Sequence, residues 1–158
     1  MGDSSPEDIL IELEVPGTQD QVWAAVASAA ELRSWLAEDA RVGTAAGEPF
    51  ELFWDPGNRE VNSTIGCRIV EWAQPSRLTI EWKGPVQFAS VMNGSPVPTW
   101  VSIDLRAGSG NNTILRLRHG GWRSGETWQQ ARTWHERVWD NALKQLQLHV
   151  GDSATPRR

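Results

Sequence analysis

The 158-residue sequence has no tyrosine, one cysteine and two lysines, and each scarcity narrows the possible functions. A single thiol, Cys67, cannot form an internal disulfide, which indicates a reducing compartment and predicts a cytoplasmic location. Two lysines in a chain of net charge −5 offer little counter-charge to phosphates, so we expect no nucleic-acid partner. No apolar run approaches the roughly 20 residues of a membrane span, and the acidic residues 1–8 do not resemble a secretory signal.

Motifs that support metal, nucleotide or nucleophile chemistry are also missing. The sequence has no C-x-x-C pair, and His135-Glu136 lacks the second histidine four residues on that a zinc-protease helix requires. No G-x-S-x-G elbow and no phosphate-binding glycine loop follows a predicted strand. Cys67 lacks the cationic or helix-terminal setting that would make it a nucleophile. We therefore expect neither a metal nor a cofactor.

The residue in excess is tryptophan, with ten copies beside three phenylalanines. Tryptophan has a large apolar surface and one N–H donor, so it serves equally well in a core and in the wall of a pocket. One interpretation is that the ten side chains build the core of a small domain. The other is that some of them line an apolar pocket.

The first forty residues predict a strand and two helices. Residues 8–15 alternate apolar and polar, which is typical of a strand with one buried face. Thr18 and Gln21 have the spacing of a capping box, which predicts that a helix begins there. Residues 31–37 predict a second short helix.

The middle of the chain consists of short alternating runs separated by Gly, Pro, Asn and Asp, a pattern typical of an antiparallel meander. For the stretch 84–98 the sequence leaves two alternatives, which are an extra strand at 86–91 and a mobile loop. The runs predict strands at 40–42, 49–54, 61–72, 77–83, 99–106 and 113–119.

Residues 126–150 predict one long helix, because apolar side chains recur along a single arc that includes Ala142. We therefore expect Ala142→Asp to bury an unpaired carboxylate. A strand, two helices, a meander and a long helix together indicate an α+β fold. The sequence contains no internal repeat and no linker, so residues 8–150 are expected to form a single domain, with 1–7 and 151–158 as flexible tails.

Three motifs resemble those of the START-like (SRPBCC, helix-grip) superfamily. In the last helix, H-x-x-x-W-x-x-x-L-x-x-L resembles the signature of the branch named for the activator of the heat-shock chaperone ATPase, although Val138 stands where that signature usually has glycine. The residues that carry the resemblance are Val22-Trp23 with Leu32-x-x-Trp35; Gly66-Cys67-Arg68-Ile69 with Pro75-Ser76-Arg77-Leu78 and Trp82; and His135, Trp139, Leu143 and Leu146.

This resemblance implies a helix-grip fold, in which a curved antiparallel sheet of about six to seven strands wraps around the long C-terminal helix, with two short helices after the first strand. It also implies an apolar cavity between the sheet and that helix. It does not imply one activity, because the same fold carries many functions.

The candidate ligand-binding residues are large side chains on the faces that alternation and helical periodicity place inward. Tryptophan would supply flat apolar area and histidine would supply the few polar contacts that orient a ligand. His135 and His119 are also the candidates for an acid or base, although each can equally be a hydrogen-bonded core histidine. The predicted set is Trp54, Ile69, Trp82, Ile103, Leu117, His119, His135 and Trp139.

Three functions follow as hypotheses. The first is binding of a small apolar or aromatic molecule, including lipids, in the cavity. The second is a polyketide-type cyclase or dehydratase that uses a cavity histidine as general base. The third is a module that binds a chaperone or another protein without a ligand. A monomer or a homodimer is expected in each case.

Overall fold

The computed structural model describes residues 7–94 and 96–154. It is an α+β fold in which seven strands form two antiparallel sheets. The sequence prediction of this fold class is confirmed, although the main sheet has five strands rather than six or seven. The elements are β1 (Ile9–Val15), α1 (Gln19–Ala27), α2 (Ala29–Trp35), β2 (Asp39–Val42), β3 (Phe50–Phe53), β4 (Ile69–Ala73), β5 (Arg77–Trp82), α3 (Ala89–Met92), β6 (Thr99–Ala107), β7 (Thr113–Gly120) and α4 (Glu126–Ala154).

The main sheet has the strand order β1-β7-β6-β5-β4, so the first and last strands of the chain are neighbours. The register places Ile103 opposite Leu117 and Val101 opposite His119, which puts these side chains on one face. All four are buried, because successive residues of a strand point to opposite faces and this face lies against α4. Strands β2 and β3 form the smaller sheet, which is joined to the residues just before β4 by the backbone bond from Phe50 N to Cys67 O at 2.9 Å.

The predicted capping box is present at the start of α1. The backbone N–H of Gln21 donates to Thr18 Oγ1 at 3.2 Å, and the N–H of Thr18 donates to Gln21 Oε1 at 2.8 Å. These two bonds satisfy donors that the first helical turn leaves unpaired. The helix then buries Val22, Trp23 and Val26 against the sheet.

The strand predicted at 61–72 begins only at Ile69. Asn62 and Gly66 adopt φ values of 50° and 84°, and such left-handed residues interrupt an extended ladder. The intervening residues are tied to β3 by other contacts, such as the backbone bond from Thr64 N to Leu52 O at 2.9 Å. Residues 61–68, despite their alternating pattern, therefore form a connection that lies along the smaller sheet.

The stretch 84–98 contains neither the predicted strand nor an unstructured loop over 86–92. Val86–Phe88 forms a 3₁₀ turn that runs into the four-residue α3. The side chain of Asn93 closes this segment by accepting from Gly84 N at 2.8 Å and donating to Gly84 O at 3.0 Å. A Cβ atom at Gly84 would lie 2.4 Å from the sulfur of Met92, so a larger residue there would have to displace this buried side chain.

Helix α4 is longer than predicted and ends at Ala154 rather than at residue 150. Residues 151–154, expected as part of a flexible tail, therefore belong to the helix. The expected tails at 1–6 and 155–158 lie outside the described residues. Glu7 is bound to α4, since its carbonyl accepts from Arg132 Nε at 2.6 Å. Within the described parts of the chain, no helix is long and apolar enough to span a membrane.

The C-terminal half of α4 is closely packed. A Cβ atom at Gly17 would lie 2.4 Å from Val150 Cγ1, so the backbone before α1 touches the helix directly. Gln147 Nε2 donates to the carbonyl of Glu14 at 2.8 Å, and His149 Nε2 lies 2.6 Å from Glu31 Oε1 on α2. Leu143, Leu146 and Val150 are buried in this region, which we call the aliphatic end.

Candidate functional site

A pocket of about 560 Å³ opens between the middle of α4, the end of β5 and the residues that follow it. Its volume falls within the usual range for small-molecule sites in proteins. Trp82, His135 and Trp139 are buried, whereas Gln87 and Val138 are exposed, so the pocket extends from the interior to the surface.

Tryptophan dominates the walls of this pocket. Trp82 and Trp139 approach each other with ring centroids 5.0 Å apart, and Trp54 lies 6.1 Å from Trp82 in an edge-to-face arrangement. Two wall indoles are held by the backbone of the helical layer: Trp35 Nε1 donates to Ala25 O and Trp54 Nε1 to Leu36 O, both at 2.8 Å. The walls therefore present flat apolar surface whose polar edges are already bonded elsewhere.

Trp82 differs from these indoles. The side chain is only 5% exposed, and its buried Nε1–H has no acceptor among the described residues. A buried donor without a partner destabilises a protein by about 1–3 kcal/mol. Because this nitrogen has almost no accessible surface, the donor does not face the open space of the pocket.

His119 lies behind the pocket and is bonded through both ring nitrogens. Trp139 Nε1 donates to His119 Nδ1 at 3.1 Å, so Nδ1 carries no proton. His119 Nε2 then donates to Thr99 Oγ1 at 3.0 Å, and the Thr99 hydroxyl donates to the carbonyl of Trp82 at 3.4 Å. Burial lowers the pKa of His119 well below 6.5, and the neighbouring His135 lowers it further.

His135 is buried in the pocket wall and has one nitrogen available. Nδ1 donates to the carbonyl of Ala131 at 2.7 Å, one turn earlier in α4. Nε2 therefore carries the lone pair of the neutral ring, and it has no partner among the described residues. Burial lowers the pKa of His135 to about 4, so the ring is neutral at physiological pH and Nε2 is an acceptor.

The structure brings four of the eight predicted ligand-binding residues into the pocket wall: Trp54, Trp82, His135 and Trp139. The other four, Ile69, Ile103, Leu117 and His119, are buried in the core and do not line the pocket. Alternation along a strand identifies which side chains face inward. It does not identify which of these inward side chains border the pocket.

Other wall residues were not predicted as site residues. Some could have been found, since Val138 and Ala142 continue the helical arc through His135 at intervals of three and four residues. The remaining ones depend on chain segments whose conformation the sequence pattern did not reveal. The unpredicted residues are Trp35, Leu36, Asn62, Ser63, Lys83, Gly84, Pro85, Gln87, Trp134, Val138, Asn141, Ala142 and Gln145.

Ala142 also requires a correction. It is half-buried and lines the pocket, so a carboxylate placed there would meet the pocket rather than a closed core. Cys67 is buried, and this burial raises its pKa to about 12, which disfavours the reactive thiolate. The described residues contain no group of three or more side chains that could hold a metal ion.

The long helix held by an antiparallel sheet, with a pocket between them, defines a helix-grip (START-like) domain. The chain belongs to the family described as Activator of Hsp90 ATPase homolog 1-like protein, whose model matches residues 17–151. This membership confirms the resemblance inferred from the three motifs. No sequence among the curated proteins matches the chain.

Solved structures from several organisms share the fold. A protein from Mesorhizobium loti superposes with a TM-score of 0.75 at 16% identity, covering 94% of this chain and 99% of its own. An HSP90 activator from Plasmodium falciparum superposes with a TM-score of 0.71 at 15% identity, covering 92% of this chain and 97% of its own. The Aha1 dimer from Colwellia psychrerythraea superposes with a TM-score of 0.67 at 15% identity, covering 91% of this chain and 97% of its own.

Proposed function

We propose that the protein binds a small apolar or aromatic molecule in the pocket beside α4. The observation that carries this proposal is a pocket of about 560 Å³ whose wall contains five of the ten tryptophans. Large apolar side chains left around an open space favour a ligand, because covering their surface removes it from water. The wall tryptophans are Trp35, Trp54, Trp82, Trp134 and Trp139.

The same geometry favours binding over acid–base catalysis. A general base works best when its pKa lies near the working pH, and the pKa of His135 is about 4. His119 has its lone pair occupied by the indole N–H of Trp139. A cyclase or dehydratase would therefore have to use a weak base or break a buried hydrogen bond, whereas a binding protein uses the neutral rings as they are.

Binding of a chaperone is the second candidate function. It is supported by the family, whose description names an activator of the Hsp90 ATPase, and by the similar fold of the HSP90 activator from Plasmodium falciparum. The test is the ATPase rate of purified Hsp90 with increasing amounts of this protein. A saturable increase would support this function, and an unchanged rate with no complex in size-exclusion chromatography would contradict it. The same chromatography distinguishes a monomer from a homodimer.

The test of ligand binding compares the parent with two variants that each add one tryptophan to α4. Ala142→Trp places the indole in the pocket, and Leu148→Trp places it on the exposed side of the same helix, where Leu148 is 61% exposed. Naphthalene, 2-acetylnaphthalene and decanoate serve as probes, with affinity and melting temperature as readouts.

We expect at least one probe to bind the parent and Leu148→Trp equally and to bind Ala142→Trp at least tenfold more weakly. The physical reason is that the added ring occupies the space that the probe needs. Equal binding by all three proteins would place the probe elsewhere, and binding by none of them would contradict the proposal.

A further inference from the structure

His119 does not line the pocket, but it is bonded to one of the tryptophans that do. Trp139 Nε1–H donates to His119 Nδ1 at 3.1 Å, and both side chains are buried. The Trp139 ring lines the pocket 5.0 Å from the ring of Trp82, so its orientation sets the shape of this wall. An indole has a single N–H, so the bond to His119 is the one that fixes the polar edge of the Trp139 ring.

The ring of His119 is itself held from several sides. Its Nε2–H donates to Thr99 Oγ1 on β6 at 3.0 Å, which leaves Nδ1 as the acceptor for Trp139. The rings of Trp122 and His135 pack against it with centroid distances of 4.4 Å and 5.2 Å. Rotation of this ring would break two buried hydrogen bonds, so His119 is a fixed acceptor on β7 for a side chain of α4.

Loss of this acceptor would leave the indole N–H of Trp139 unpaired in the interior, which is unfavourable. The open space next to this ring is the pocket, where water can bond the N–H. A Trp139 ring that turns towards the pocket would fill part of the volume that a ligand needs. Binding would then have to return the ring to the wall first, and this step lowers the affinity.

We infer that His119 is a positioning residue of the pocket: by accepting the indole N–H of Trp139, it keeps this ring in the wall and the pocket open for a ligand. The inference rests on the proposed function, because it concerns a ligand in the same pocket. A purely structural core histidine would affect stability alone, whereas a positioning residue also affects ligand affinity.

Three substitutions separate the two nitrogens of His119. In His119→Asn the amide oxygen can take the place of Nδ1 and accept from Trp139, whereas in His119→Gln the amide extends to the place of Nε2 near Thr99. His119→Phe keeps a ring of similar shape without either polar atom. The matched control is Thr113→Val, since Thr113 is fully buried on the same strand and donates to the carbonyl of Gly17 at 2.8 Å, outside the pocket wall.

The readouts are the dissociation constants of naphthalene, 2-acetylnaphthalene and decanoate, the melting temperature, and the indole N–H signal of Trp139 in a nitrogen–proton NMR spectrum. For each probe that binds the parent, we expect His119→Phe and His119→Gln to bind at least about fivefold more weakly and to shift the Trp139 signal. His119→Asn should restore the affinity to within about twofold of the parent and keep the signal closer to its parent position. Thr113→Val should lower the melting temperature and change the affinity by less than about twofold.

One measurement on the unmodified protein needs no variant to fold. A nitrogen–nitrogen coupling across the hydrogen bond between Trp139 Nε1 and His119 Nδ1 should be present in the free protein and should persist with the tightest-binding probe. Its absence from either state would overturn the inference.

The outcomes separate this inference from the proposed function. If a probe binds the parent and the His119 variants bind it equally well, the inference is overturned and the proposed function stands. The same conclusion follows if His119→Gln binds as tightly as His119→Asn, or if Thr113→Val loses as much affinity as His119→Phe. If no probe binds the parent, both are overturned.

Discussion

The two halves of α4 bury similar faces against the sheet and yet differ in what they enclose. At the aliphatic end, Leu143, Leu146 and Val150 are at most 2% exposed, and Val150 meets the backbone at Gly17. In the middle of the helix, His135 and Trp139 are also buried but border an open pocket. We call this second region the aromatic end.

The difference lies in the shapes of the side chains and in their polar edges. Branched aliphatic side chains interdigitate from any direction and leave few voids. Indole and imidazole rings are flat, and each carries a polar atom that must find a partner, as His119 and Trp139 do for each other at 3.1 Å. These constraints fix the rings at set angles and leave space between them. One end of α4 therefore stabilises the fold, and the other borders the proposed ligand site.

The largest expected effect is at the aliphatic end. Leu146 is fully buried, so Leu146→Ala should destabilise the protein by about 2–5 kcal/mol through lost burial and a residual cavity. The measurement is urea denaturation followed by circular dichroism. A loss below about 1 kcal/mol would mean that this end is not closely packed, and the contrast between the two ends would disappear.

The second effect is specific to the aromatic end and depends on pH. The pKa of His135 is about 4 in the folded protein and 6.5 in the unfolded chain, so the unfolded chain binds more protons between these values. Stability should be complete above pH 6.5 and should fall as the pH decreases towards 4, by roughly 3 kcal/mol for this group. The pKa of His119 is lowered too, so it acts in the same direction.

The check is the free energy of unfolding at intervals from pH 7 to pH 5, above the range where most carboxylates titrate. His135→Gln should have a flatter profile than the parent. Parallel profiles for the parent and His135→Gln would contradict the burial of a neutral imidazole there.

A smaller effect separates two alanines of α4 with the same substitution. Ala131 is fully buried, so Ala131→Leu should overfill its site and destabilise by about 1–3 kcal/mol. Ala142 lines the pocket, so Ala142→Leu should change stability by less than about 0.5 kcal/mol, because the added methyl groups enter open space. Melting curves of the two variants provide the comparison. Equal destabilisation would show that the pocket is closed in solution.

Much of the fold could be predicted from periodicity, because it follows from local rules. The capping box at Thr18 and the alternation that buries Leu117 and His119 depend on residues close in sequence. The errors arose where tertiary contacts decide. Asn62 and Gly66 break an apparent strand, and the side chain of Asn93 folds 84–93 through bonds to Gly84.

The candidate site was predictable to a lesser degree. The prediction that Ile69 and Ile103 face inward was correct. Whether an inward residue meets the pocket or the core, however, is decided by its position along the sheet, which we call its depth. That depth depends on how α4 crosses the sheet, which no local pattern encodes. The roles of the histidines required the hydrogen bonds themselves, because only the bond from Trp139 shows that His119 has no free nitrogen.

The central claim is that the aromatic end of α4 holds a ligand, and the ten tryptophans provide one measurement that tests it directly. Each indole N–H gives one signal in a nitrogen–proton NMR spectrum, and single Trp→Phe variants assign the signals. The pocket wall contributes Trp35, Trp54, Trp82, Trp134 and Trp139; the other five are Trp23, Trp72, Trp100, Trp122 and Trp128.

The measurement is a titration of the protein with 2-acetylnaphthalene. We expect the largest saturable shifts at the five wall indoles, and we expect Trp23, Trp72 and Trp100 to stay unchanged. Largest shifts at those three indoles, or saturable binding that leaves the wall indoles unmoved, would contradict it.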